Sequence, residues 1–255
     1  MTGRAVRIAD DFGLGRGHDA VILALIADSR LDGTSVMVDG EIAADDLLRL
    51  KALRARGAKV GLHLTLTHPF PESRVHYPLG TLMRLCLTGR APEAAREDFA
   101  RQADRFIALF GTPPDHYDGH QHCHCLPGLA AAAAALPPGE DCRMRVPLPA
   151  RLSGLALNMR AGGWKVAVVA ALAAEARRVF RRAGWRTNRD FSGFLALDRP
   201  EAVSRWLPRL MAAAGEDCLL MLHPGDAADP ARCRGHAPES RAREADILRR
   251  SPAPA

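Results

Sequence analysis

The chain is poor in aromatic residues, which make up 5% of its 255 positions and include only two tyrosines and three tryptophans. Surfaces that bind single-stranded nucleic acid rely on aromatic platforms beside basic grooves, so this scarcity argues against that role. There is no long hydrophobic run either. The most apolar stretch, residues 166–174, is closed off by Lys165 and Glu175 and is far shorter than the ~20 residues of a membrane-spanning helix. The start, MTGRAVRIADDFG, lacks the apolar core and cleavage site of a secretory leader, so a cytoplasmic protein is expected. The six cysteines (Cys86, Cys123, Cys125, Cys142, Cys218, Cys233) form no CxxC pair and no small-domain disulfide spacing, which fits reduced thiols. GxSxG, Walker and HExxH motifs are missing as well. Gly13, Gly15 and Gly17 follow a strand-like run, but His18 stands where a dinucleotide fingerprint needs its last glycine. Serine hydrolase, nucleotide and dinucleotide readings therefore lose their usual support.

What remains is ordinary globular text with 47% apolar and 25% charged residues. The formal net charge of +6 comes from arginines scattered through alanine-rich helical stretches rather than grouped into a reading motif, so no nucleic-acid partner is expected. The length suits one catalytic domain over residues 1–250, followed by a disordered tail at 251–255. Strand patterns fall at residues 5–8, 33–38, 59–66, within 114–125, at 142–146 and at 218–222. Helical periodicity marks residues 19–28, 43–56, 92–109, 129–136, 166–182 and 201–214, while residues 68–92 read as an irregular, proline-rich loop. This alternation predicts a parallel α/β sheet or barrel.

The residues able to do chemistry gather at predicted strand ends, where parallel α/β folds build their sites. Asp10 and Asp11 follow the first strand; adjacent carboxylates repel, and holding two together calls for a cation or a shared proton. Strand alternation would send them in different directions, one to a metal and one to a reacting water. His63 lies on the apolar run GLHLTL, where a lone histidine needs other ligands nearby to matter. In DGHQHCH, His120, His122 and His124 would share one face of an extended strand. At ~3.3 Å per residue the outer two would be roughly 13 Å apart, so one or two could bind an ion and the others would support it or face substrate. His223 ends CLLMLHPG, and Pro224 stops the strand behind it. A histidine placed there suits a general acid. Aspartate with two histidines is a good first shell for hydrolytic divalent-metal chemistry.

These segments, IADDFGL, GLHLTLT, DGHQHCH with Pro127, MRVP and LMLHPG, together with SRARE at residues 240–244, occur in the order and spacing of one family. The chain resembles the YdjC-like carbohydrate deacetylases, also called the ChbG/HpnK family. The resemblance implies a distorted (β/α)-barrel-like fold related to NodB-type polysaccharide deacetylases. It also implies removal of acetyl from N-acetylated amino sugars. On its terms Asp11, His63 and His120 hold a divalent metal, zinc or alternatively magnesium, manganese or nickel. Asp10 is the base, with Arg145 orienting it, and His223 is the acid by a looser correspondence. His122, His124, Asp190 in the segment at residues 187–194, and Phe12 are assigned to the substrate side. Two positions depart from the pattern. Gly15 and Asp19 stand where relatives commonly carry serine and asparagine, so Asp19 is expected to add negative charge near the metal.

Two rivals follow from the same resemblance. The substrate would be a lipid-linked amino sugar, in which case the basic residues 177–186 would touch a membrane surface; or the chain would be a sugar-binding relative without catalysis. A homodimer is the family-level expectation for its assembly.

Overall fold

The structure is a computed structural model describing residues 5–233 and 235–251. Beyond Ser251, the tail expected to be disordered lies outside the described residues. In chain order the elements are β1 (Val6–Phe12), α1 (Arg16–Ala27), β2 (Gly33–Val36), α2 (Ala44–Ala55), β3 (Lys59–Leu64), α3 (Leu79–Leu87), α4 (Glu93–Phe110) and β4 (His116–Gly119). After a tight 3-10 turn at His120–Cys125 come α5 (Leu129–Ala134), β5 (Arg143–Met144), α6 (Leu152–Gly162), α7 (Lys165–Arg182), β6 (Arg186–Thr187), β7 (Asp190–Ser192), α8 (Pro200–Ala213), β8 (Cys218–Leu222) and α9 (Pro238–Arg250).

The strands form one sheet in the order β6-β5-β4-β3-β2-β1-β8-β7, and every pairing in it is parallel. β6 and β7 are its two ends, yet only Asn188 and Arg189 separate them in the chain. The sheet therefore curls until its edges meet in one extended segment, the barrel-like form expected. Asn188, in that segment, ties the chain after β5 to the start of β7: its Oδ1 accepts from Val146 N at 2.7 Å, and its Nδ2 donates to Val146 O and to Asp190 O, each at 2.9 Å. A sheet covered on both faces needs apolar strands, and Val60, Leu62 and Leu64 of β3 are fully buried. They join Leu23, Phe99, Phe106 and Phe180 in the main core. Each such side chain contributes ~1.5–3 kcal/mol relative to exposure.

Two departures from the sequence reading shape the site. The first strand runs on through Asp10 and Asp11 to Phe12, and its register slips between Ala9 and Phe12 against β2. Asp11 sits at the slip with φ +67°, a left-handed conformation rare for a residue with a side chain. The bulge breaks strict alternation and leaves both aspartates inside. The second departure is at DGHQHCH. Only His116–Gly119 is strand, because Gln121 and His122 adopt left-handed angles (φ 51° and 57°) and wind the chain into the 3-10 turn. The three histidines therefore point in separate directions instead of sharing a face. Other differences are smaller: residues 68–92 contain α3, and the structure adds α6, β6, β7 and α9 to the elements expected from sequence. Among the described residues, no helix is long and apolar enough to cross a membrane.

β2 and β3 approach so closely at the Gly33–Lys59 register that a Cβ on Gly33 would lie 1.9 Å from the Lys59 carbonyl oxygen. Gly80, in the first turn of α3, faces open space. Gly33→Ala is expected to lower stability in urea unfolding by ~1–3 kcal/mol or more, since backbone cannot yield as a side chain can. Gly80→Ala should be neutral or stabilise by up to ~1 kcal/mol. Equal effects would contradict the close β2–β3 approach.

Candidate active site

β1, β3 and the turn after β4 deliver their polar groups to one buried point at the carboxyl ends of the strands. Asp11 Oδ1 lies 3.1 Å from His63 Nε2 and 3.0 Å from His120 Nδ1. Its other oxygen, Oδ2, accepts from Arg241 Nη2 at 2.6 Å and lies 3.4 Å from His236 Nδ1. Asp11, His63 and His120 are all at most 2% exposed. Beside them Arg145 grips Asp10 with both nitrogens, Nη1 to Oδ1 at 2.6 Å and Nη2 to Oδ2 at 2.7 Å. The same guanidinium reaches Asp118 Oδ2 at 2.9 Å. Asp118 in turn holds His63 Nδ1 at 2.5 Å and accepts from Ser35 Oγ at 2.6 Å.

These residues fit a divalent cation. Zinc–ligand bonds of about 2.0–2.2 Å put neighbouring ligand atoms roughly 3–3.5 Å apart, close to the Asp11–imidazole separations. The ligand atoms of Asp11, His63 and His120 all lie within 4.8 Å of one another. His63 has a carboxylate on the nitrogen away from Asp11, the arrangement that fixes a metal-ligating imidazole and strengthens it as a donor.

Burial and charge set the protonation states. Burial alone would lower the His63 pKa, but Asp118 and Asp10, with hydrogen bonds to Asp11 and Asp118, raise it to about 10. Without a cation, His63 thus carries a proton on the side facing Asp11. Burial would raise Asp11, but His120 and Arg241 hold it well below the usual carboxylate range. Asp10 is raised by burial despite Arg145, and Asp118 adds to the rise. Burial, helped by His236 and Arg241, keeps His223 well below its ordinary value. Glu244 is pushed up to about 8 by burial.

The remaining candidates divide. His223 Nε2 lies 4.0 Å from Asp10 Oδ2, and His223 Nδ1 lies 3.9 Å from Glu244 Oε1, both nitrogen and oxygen being without a hydrogen bond. Glu244 Oε2 accepts from the His223 backbone N–H at 2.6 Å. His122 packs edge-on against Phe191 and Phe194, and its buried Nδ1 has no partner. His124 turns away into the core, stacked on Phe180 with Nε2 2.8 Å from the Arg145 carbonyl oxygen; it supports Arg145 and does not face a substrate. Phe12 is fully buried in the main core. Asp190 Oδ1 accepts from Ala150 N and Phe191 N, which ties down a loop. Phe12 thus belongs to the core, and Asp190 to the backbone of its loop. Residues 177–186 end α7 and lead into β6, at the opposite end of the sheet from the cluster.

Asp118, His236, Arg241 and Glu244 join the cluster in addition to the residues expected from sequence. The signal for three of them was present in the DGHQHCH and SRARE segments, though nothing in spacing alone turns α9 toward Asp11. A groove of about 880 Å³ begins beside the cluster, lined by His68, Phe70, Ile42, Arg16, Asp226 and Arg232 among others. The His68 ring stands 6.2 Å from that of His120.

Asp19 corrects an expectation. Its Oδ1 accepts from Gly13 N at 2.7 Å, while its buried Oδ2 has no partner. Burial, with Asp46 and Asp229 nearby, raises its pKa well above the usual value, so the carboxyl favours the neutral form and mimics asparagine rather than adding charge. A raised folded-state pKa gives stability that is complete below the unfolded value of ~3.9 and is lost as pH rises. Asp19→Asn should therefore leave the melting temperature unchanged near pH 4 and raise it increasingly towards pH 8. A variant that melts lower at every pH would contradict a protonated Asp19.

Comparison with known proteins shows the family. The sequence matches the YdjC-like protein family over residues 6–254. It is 31% identical over 148 residues to a chitooligosaccharide deacetylase of Serratia marcescens, covering 54% of this chain and 57% of that protein. It is 28% identical over 268 aligned positions to a carbohydrate deacetylase of Mus musculus, covering 93% and 83%. The match thus spans a little over half the length of the Serratia relative. In three dimensions the chain resembles a protein of Enterococcus faecalis V583 described as a cellobiose-phosphate cleavage protein. The TM-score is 0.62, with 17% identity over 97% of this chain and 91% of that one, a likeness of fold. With nearly every residue inside the family match, the chain belongs to the YdjC-like family.

Proposed function

We propose that the chain is a divalent-metal-dependent hydrolase that removes the acetyl group from an N-acetylated amino sugar. The observation that carries this reading is the convergence of two imidazoles on Asp11 Oδ1 with Asp10 and His223 alongside, 4.0 Å apart. The relatives named chitooligosaccharide and carbohydrate deacetylases support the substrate class. Asp11, His63 and His120 would hold the metal, and two imidazoles with one carboxylate suit zinc best, with magnesium the alternative. Such a cation supplies Lewis acidity towards the acetyl carbonyl and water activation at neutral pH.

Asp10 is the base. The bidentate grip of Arg145 fixes its carboxylate, and its raised pKa brings it closer to the operating range, where general bases work best. His223 serves the leaving nitrogen from Nε2. It is neutral at rest, so the proton it delivers is the one drawn from the attacking water at Asp10. As the ring takes on charge, Glu244 Oε1 is the group facing Nδ1. The groove lined by His68 and Phe70 would receive the rest of the sugar.

Asp10→Asn should keep the metal and lower acetate release from N-acetylchitobiose by about 10²–10⁴-fold, the usual worth of a general base. Loss of metal instead would mean that Asp10 rather than Asp11 is the ligand. No acetate from any acetylated oligosaccharide by the parent, with release from an acetylated amino-sugar glycolipid, would select the lipid-linked substrate; release from neither would leave a binding protein.

A further inference from the structure

Asp11 has a second oxygen, and what surrounds it resembles half of a metal centre. After β8 the chain makes a tight turn closed by His236 N donating to Cys233 O at 3.0 Å, with Gly235 at φ +81°. The turn presents the Cys233 sulfur and His236 Nδ1 towards Asp11 Oδ2, and the ligand atoms of these three residues lie within 4.8 Å of one another. Carboxylate, imidazole and thiol is a donor set suited to zinc or cobalt. Its centre is taken by one atom, Arg241 Nη2, which lies 2.6 Å from Asp11 Oδ2, 2.9 Å from His236 Nδ1 and 3.2 Å from Cys233 Sγ. The rest of the guanidinium is idle: Nε and Nη1 are buried without partners. Arginine usually engages as a two-pronged fork, as Arg145 does on Asp10. Here a single nitrogen stands where an ion would.

We propose that Arg241 is a resident cation, filling the second half of what would otherwise be a two-metal centre bridged by Asp11, and so limiting the site to one metal ion held through Asp11 Oδ1. Two-metal hydrolase sites place their ions about 3.5–4 Å apart across shared ligands, and Asp11, with imidazoles on one oxygen and Arg241 on the other, is built as such a bridge. A fixed guanidinium leaves the first ion in place while its own charge never dissociates. Arg241 is thus a positioning residue that acts through Asp11. The inference rests on the cation site of the previous section.

Cobalt(II) titration with absorption spectroscopy and metal analysis tests it on the full chain. The parent should bind one cobalt without a thiolate-to-cobalt charge-transfer band. Arg241→Ala and Arg241→Gln should bind two and gain that band, Cys233→Ser in either background should abolish the band, and Arg241→Lys should stay at one. The neutral variants leave Asp11 short of a partner, so they should melt lower than the parent in chelator and regain more on adding cobalt. A thiolate band in the parent would overturn the proposal. So would a folded neutral variant that stays at one cobalt without the band. Failure of both neutral variants to fold in saturating cobalt would also contradict it, since a metal ion would then be unable to replace the guanidinium. A parent that binds no cobalt at all removes the first site instead, which keeps the two failures apart.

Discussion

Asp11 is a carboxylate with no exposure to water, and burying such a charge is tolerable only if every lone pair finds a partner. Its partners are drawn from distant parts of the chain: His63 from β3, His120 from the turn after β4, and Arg241 from α9. Its own backbone is held at φ +67°, a conformation that costs of order 1–3 kcal/mol for a non-glycine residue and persists only where surrounding contacts impose it. Strain, burial and convergent partners meet at this one residue, an arrangement that fits a cation.

Around that residue the charges pair off. Arg145 answers Asp10, Arg241 answers Asp11, and the protonated His63 answers Asp118. The proton on His63 balances the Asp118 charge, and a divalent ion held at His63 Nε2 would have to displace it. The two arginines hold consecutive aspartates in different ways, a fork on Asp10 and a single nitrogen on Asp11. Burial and Asp118 raise the Asp10 pKa against the pull of Arg145, while His120 and Arg241 hold Asp11 well below the usual carboxylate range, so neighbours in sequence become different chemical groups.

The strand-end clustering of Asp10, Asp11, His63, His120 and His223 was readable because apolar runs ending in ionisable residues signal a parallel sheet and its catalytic rim. The geometry at DGHQHCH was not, since nothing in that text announces left-handed angles at Gln121 and His122; a turn, rather than strand pleating, is what sends His120 to Asp11 and His124 to Phe180. The pattern of α9 is harder to read because polar Ser240, Arg241 and Glu244 share its buried face with Ala245 and Leu248, which interrupts the apolar stripe by which helices are recognised. Phe12 was misplaced for a related reason: once a bulge takes up the slack at Asp10 and Asp11, the next side chain returns to the core.

X-ray absorption on zinc-loaded protein tests the central claim most directly, that Asp11 Oδ1 and the imidazoles of His63 and His120 share one cation. The account predicts two imidazole nitrogens and oxygen neighbours at ~2.0–2.2 Å, and no sulfur. Fewer than two imidazoles, or a sulfur at ~2.3 Å, would contradict it.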